Sequence, residues 1–362
     1  MQQKFRTVFI FALFSALCVI PAHAGKIALL LEQPYGRFGF FNPTGHAAIY
    51  LSDVCAETPV YLRRCYPGEK GAVISRYHKV GGYDWIAIPL IPYLYAVTQP
   101  EDIPEDLSKK QVTQLRNQYR RRYLREFIPD DPHRVVPKGD WMQLVGESYD
   151  RKIFGYSLET TPEQDDALIA MLNGHKNRSH FNLFFNNCAN FAEKILNFYY
   201  PHSVHRNFII DVGLMTPKQT AHSFTKYARR HPDLEFTTFV IPQVSGPIRR
   251  SIAVHGILDS VLETPKYVLP IAILHPVVAG SLLAVYFGDG RFHPDAHMES
   301  VFDPKRDSQP GVLAAADSAT YTENTPDQTG VAIKIQDRTA TQTITEIVTD
   351  ATYQPAAIQP SN

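Results

Sequence analysis

Apolar residues in the first ninety positions fall in short β-prone runs rather than in helical stripes. Lys26–Glu32 and His46–Leu51 are two such runs, separated by the Gly/Pro/Asn-rich stretch 34–45, so the pattern predicts two strands joined by a long loop. Val73–Tyr77 and Trp85–Ile91 predict two more, giving a sheet of four or more strands. Further along, the period changes. Ser108 with Gln111 is a capping-box pair opening a helix over Ser108–Ile128, with leucine, valine and tyrosine at helical spacing. Thr161-Pro162-Glu163-Gln164 and Thr216-Pro217-Lys218-Gln219 repeat that start signal and predict helices over Pro162–Asn173 and Pro217–Arg230. Both periods in one chain define an α+β protein.

Two apolar segments lie outside this alternation. Lys4 and Arg6 precede the run Val8–Ile20, followed by Pro21 and the triplet Ala22-His23-Ala24. That is the order of a secretory signal peptide cut after Ala24, which predicts an exported protein of the periplasm or cell envelope. Tyr267–Phe287 is uncharged throughout and long enough to cross a bilayer as a transmembrane helix, anchoring the protein. Pro270, His275 and Pro276 within it fit a buried or interfacial helical hairpin equally well. From about Lys305 the chain is Thr-, Asp- and Ala-rich without sustained periodicity, which predicts a disordered tail. The expected organisation is a signal peptide over 1–24, the main domain over 25–245, an apolar helical, membrane-associated extension over 246–300 and the tail over 301–362.

Charge adds little globally, because 36 basic residues balance 36 acidic ones and no nucleic-acid partner is expected. Locally, Ser108–Ile128 carries Lys109, Lys110, Arg116, Arg120, Arg121, Arg122 and Arg125, which suits contact with an anionic membrane surface or simply a solvated helix face. The mature chain has three cysteines. Cys55 and Cys65, close together around a turn-capable stretch, are the natural disulfide pair in an oxidising compartment, leaving Cys188 as a free thiol. No zinc-type spacing, P-loop or dinucleotide fingerprint is present, so neither metal nor cofactor is expected.

The segment from Phe181 to Leu196 carries the chemistry. Asn187 is a good N-cap, Cys188 falls in the first turn, and Phe191, Ala192, Ile195, Leu196 and Tyr199 continue one apolar stripe from it. At that position the helix dipole and free N–H groups favour a thiolate and suit an oxyanion, although an inert core cysteine has the same local pattern. A nucleophilic cysteine needs a base. His46 opens the strand Gly45-His46-Ala47-Ala48-Ile49-Tyr50-Leu51, and small Ala48 beside it leaves room for a helix start to approach.

This strand, followed more than a hundred residues later by Asn187-Cys188-Ala189-Asn190-Phe191-Ala192, resembles the circularly permuted branch of the NlpC/P60 papain-like superfamily. That branch includes the lecithin retinol acyltransferase-like and PPPDE proteins, in which the histidine strand precedes the cysteine helix. The resemblance covers about residues 40–200. It implies a papain-like fold and a thiol hydrolase, either an amidase or peptidase or an acyl transferase, with Cys188 as nucleophile and His46 as base. Peptide, peptidoglycan or acyl lipid would be the substrate. A third polar residue orients the imidazole in many members; Ser75 and His78 are the candidates here, and Asn186 or Asn187 could assist the oxyanion. The rival reading is a non-catalytic membrane-associated envelope module with a relict Cys/His pair.

Overall fold

Five apolar residues in succession, Ile27–Leu31, leave a strand no polar side to present to water. In the computed structural model they form β1 (Gly25–Glu32), buried on both faces in the middle of a sheet. The structure describes residues 25–36, 43–78, 80–178, 180–262 and 265–311, so the signal-peptide segment and the chain beyond 311 lie outside the described residues. β1 pairs antiparallel with β2 (His46–Leu51) on one side and with β7 (Ile153–Thr160) on the other, in registers that set both His46 and Ile153 opposite Glu32. The sheet extends through β5 (Ala72–Ser75) and β6 (Ile86–Pro89) at one end and β8 (Thr237–Ile241) and β9 (Ser300–Val301) at the other, in the order β6-β5-β2-β1-β7-β8-β9. β3 (Val54–Thr58) and β4 (Tyr61–Arg64) form a separate hairpin, where Cys55 and Cys65 are joined by a disulfide.

Side-chain alternation sends successive residues of β2 to opposite faces. Ala48 and Tyr50 join Ala28, Leu30 and Val73 against α1 (Leu90–Tyr95), α2 (Lys109–Tyr123) and the Trp141–Tyr149 segment, which ends in α3 (Glu147–Asp150). Ala47, Ile49 and Leu51 join Ile27, Leu29 and Leu31 beneath α4 (Pro162–Gly174), α5 (Cys188–Tyr199) and α6 (Pro217–Arg230). The protein is thus α+β, with helices on both faces of a seven-stranded sheet.

Several expectations are corrected. Trp85–Ile91 is not all strand: β6 ends at Pro89, after which Leu90 starts a helix. β5 stops at Ser75, short of Tyr77. The basic helix ends at Tyr123, and two of its arginines point inward. Arg120 donates to Ile128 O and Asp130, and Arg116 to Val145 O and Gly146 O, so neither can reach an external surface. The 267–287 segment is divided at His275, where proline begins a new helix, into α8 (Pro265–Leu274) and α9 (Pro276–Val285). Among the described residues no helix is long and apolar enough to cross a membrane. Past this hairpin the chain returns to the sheet as β9. Phe302 is buried, and Lys26 and Lys70 reach carbonyls of Gly311 and Asp307, so residues 301–311 pack with the rest instead of starting a tail.

β7 and β8, unanticipated from the pattern, meet at a tight place. A Cβ on Gly155 would lie 2.1–2.4 Å from ring atoms of buried Phe239. Gly155→Ala is therefore expected to destabilise by roughly 1–3 kcal/mol, as other overpacked cores do, read as a lower urea midpoint at unchanged slope.

Candidate active site

Gly45 turns the chain into β2 with φ of +78°, and any side chain there would strike Glu32 O at 2.2 Å. The next residue, His46, is buried at the strand start. Its Nε2 lies 2.7 Å from Ser75 Oγ, whose hydroxyl lies 3.0 Å from Ala47 O. A hydroxyl has one proton. If Ser75 donates it to Ala47 O, Ser75 must accept from His46 Nε2–H, which leaves Nδ1 as the unprotonated nitrogen. Tyr77 stacks on the imidazole with centroids 4.8 Å apart. Burial, with a further contribution from the Arg151 charge, holds the imidazole pKa well below its ordinary value, so His46 is neutral.

Cys188 begins α5, whose stripe Phe191, Ala192, Ile195, Leu196 and Tyr199 is buried against the sheet. The thiol and His46 both line one cavity of about 560 Å³, with Arg76, Tyr77, His78, Asn187 and Arg151 also in its wall. α5 packs on the Ala47–Ile49–Leu51 face, however, whereas alternation puts His46 with Ala48 and Ser75 on the other. The two groups meet only around the end of β2, and among the described residues no hydrogen bond joins Cys188 Sγ to His46. The Cys188 side chain is partly buried at the helix start. Burial pushes the Cys188 pKa up, and the backbone hydrogen bonds from Ala47 and Ala189 to the sulfur oppose that shift without reversing it. The resting pair is a neutral thiol and a neutral imidazole.

The other candidates separate. His78 is half-exposed, lies 3.4 Å from Asp140 and sits edge-on to Phe181, and among the described residues no hydrogen bond joins it to His46. Asn187 caps α5 by accepting from Asn190 N, while its amide donates to Leu183 O and Met215 O, and Asn186 donates to His180 O. Both amides are thus engaged in holding the loop. Arg76, next to Ser75, donates to Asn186 Oδ1 at 2.6 Å and to Asp84 at 2.6 Å, tying the loop before Cys188 to the end of β5.

Beneath the site lies a buried charged cluster. Arg151 donates to Glu32 at 2.9 Å and lies 2.8 Å from Glu147, both carboxylates being fully buried. Tyr93 donates to the other Glu32 oxygen and lies 3.3 Å from Tyr77 OH, so the cluster runs through hydroxyls to the ring under His46. Burial raises the pKa of Glu32 and raises that of Glu147 well above the ordinary carboxylate value. Its only hint in sequence was an acid closing an apolar run at Glu32. Among the described residues the cluster with metal-ligand spacing, Cys55, Cys65 and Glu69, has its sulfurs in the disulfide and Glu69 on Arg63.

No family model and no curated protein matches the chain. Among solved structures it is similar to that of a type VI secretion system effector, TseH, at 13% identity and a TM-score of 0.27, over 60% of this chain and 98% of that one. A likeness so loose transfers neither a residue role nor an activity.

Proposed function

We propose that the chain is an exported thiol hydrolase or acyl transferase acting on amide or ester bonds of the cell envelope, built on a papain-like fold in circularly permuted order. Cys188 attacks the carbonyl, His46 takes the thiol proton and returns it to the leaving group, and water or another acceptor resolves the acyl-enzyme. The observation that carries this reading is the chain of contacts Ala47 O, Ser75 Oγ, His46 Nε2, which orients a neutral imidazole in the cavity that Cys188 also lines. Ser75 is then the orienting residue, and His78 is not. The disulfide supports an oxidising compartment, in keeping with the signal-peptide order of residues 1–24.

A second reading, an inert pair in a non-catalytic envelope module, is favoured by two specific observations: the opposite faces of β2, and a thiol whose pKa burial raises. An alkyne-tagged chloroacetamide probe separates the two. In the hydrolase, native protein near neutral pH is labelled on Cys188, as found by peptide mass spectrometry, and the label is lost in Cys188→Ala and reduced in His46→Ala. Labelling that begins only on unfolding would leave the inert reading standing.

A further inference from the structure

Loop 207–213 displays apolar side chains outward from a rigid base. Asn207 Oδ1 accepts from the N–H groups of Ile209 and Ile210, and buried Asp211 accepts from Ile257 N and Thr216 Oγ1. Gly213 N donates to Asn207 O and closes the loop. Phe208, between Asn207 and Asp211, is 80% exposed and Val212, just past Asp211, is 70% exposed, and Val212 holds a φ of +54°, which β-branched residues rarely adopt. A loop tied down at both ends that keeps its greasiest side chains in water, one of them strained, is shaped for something apolar.

The loop adjoins the cavity and the helical hairpin. Leu258 N donates to Ile210 O, joining it to α7 (Ile257–Leu262), and Ile257 and Ser260 of α7 line the cavity together with half-exposed Phe184. α7 packs on α8, and α8 on α9. Within these last two helices Leu269, Ile273, Leu274, Val277, Val278 and Leu283 are exposed, and Ala279 is the buried residue of α9. In α9, where Ala279 alone is buried, exposure therefore covers most of the circumference instead of one stripe. A protein groove covers a stripe, whereas a helix apolar all round calls for an apolar surrounding medium. Each helix has ten residues, about 15 Å at the α-helical rise, or half of a hydrocarbon core of roughly 30 Å. Arg206, 4.0 Å from Glu193, precedes the loop, and Lys266 on one side and Asp289 with Arg291 on the other bracket the uncharged run, which leaves its ends net basic.

We infer that loop 207–213 and the α8–α9 hairpin form one face that seats in a single leaflet of a lipid bilayer, bringing the mouth of the Cys188 cavity to the membrane surface. The hairpin enters the leaflet without spanning it, and the basic residues give a preference for anionic lipid. The inference is independent of the catalytic reading, since an inert Cys/His pair would sit at the membrane by the same face.

The test is co-sedimentation of the full chain with phosphatidylcholine vesicles and with vesicles of phosphatidylcholine mixed with phosphatidylglycerol. Wild type is expected to bind both, and the anionic vesicles more tightly. The double variant F208S/V212S and, separately, Val277→Asp are expected to bind at least about tenfold more weakly, the scale set by one or two large apolar side chains left in water. These positions are exposed, so circular dichroism should show native folding, and either variant suffices if the other misfolds. Three results would overturn the inference: wild type remaining in solution with both vesicle types, variants binding as wild type does, or a wild-type dimer in sedimentation velocity that the variants break while vesicle binding is absent.

Discussion

His46→Ala is expected to slow acylation of Cys188 by a factor on the order of 10²–10⁴, the usual contribution of a positioned general base. At rest the sulfur is protonated, because burial raises its pKa, and the imidazole is neutral, because burial lowers its own. The proton therefore has to move as the sulfur attacks, and in the wild type His46 is the group that takes it. The pH dependence follows from these directions. A base with a depressed pKa stays neutral below its ordinary value of 6.5, so the acid limb of kcat/KM should fall below the ordinary histidine range. In the variant, attack depends on thiolate formed in solution, and the residual rate should climb with pH through and beyond the ordinary thiol value of 9.0 while the wild type is level. Nitrophenolate release from p-nitrophenyl acyl esters, with the acyl adduct located on Cys188 by mass spectrometry, measures both. Equal acylation rates with and without the imidazole, or a wild-type acid limb above the ordinary histidine value, would remove His46 from the mechanism.

What the sequence made legible here was whatever short-range pattern can carry. The apolar run of β1, the three capped helices α2, α4 and α6, and the stripe behind Cys188 all lie within a few turns of their own signals. Residue type and order point to His46 and Cys188, whereas Ser75 enters only with the family resemblance and only beside His78. The face of the sheet that α5 takes was not legible, because all six residues of β2 are buried and no polar alternation marks one side as outer. β7 was missed for a related reason. Gly155 interrupts its apolar run, and what makes it a central strand is eight pairings to β1 more than a hundred residues away. The inward turn of Arg116 and Arg120 depends on carbonyls at Ile128, Val145 and Gly146, which no helical period in Ser108–Ile128 could register. The same holds for the Glu32–Arg151–Glu147 cluster, whose first and second members are 119 residues apart.

Removing the cation of that cluster should have the largest effect on stability. Arg151→Met keeps the volume of the side-chain stem but leaves Glu32 and Glu147 fully buried, with Arg116 alone nearby at 3.9 Å from Glu147. Breaking a buried ion pair from one side typically costs about 3–5 kcal/mol, because the remaining charge keeps its desolvation penalty and loses its partner. The cost must depend on pH. Both carboxyls titrate above their ordinary value of 4.5 in the folded protein, so folding is favoured by their protonation, fully so below that value, and the contribution is lost as pH rises through the elevated range. Arg151 is a lowering influence on both, so its removal raises them further and extends the window over which stability falls. Urea unfolding across the acid-to-neutral range should therefore find Arg151→Met close to wild type in acid and well below it near neutral pH. The triple variant E32Q/E147Q/R151M, which carries no buried charge at these three positions, should recover much of the loss and flatten the slope. If Arg151→Met instead matches the wild type at neutral pH, or its deficit is the same at every pH, the cluster does not hold this part of the fold by charge.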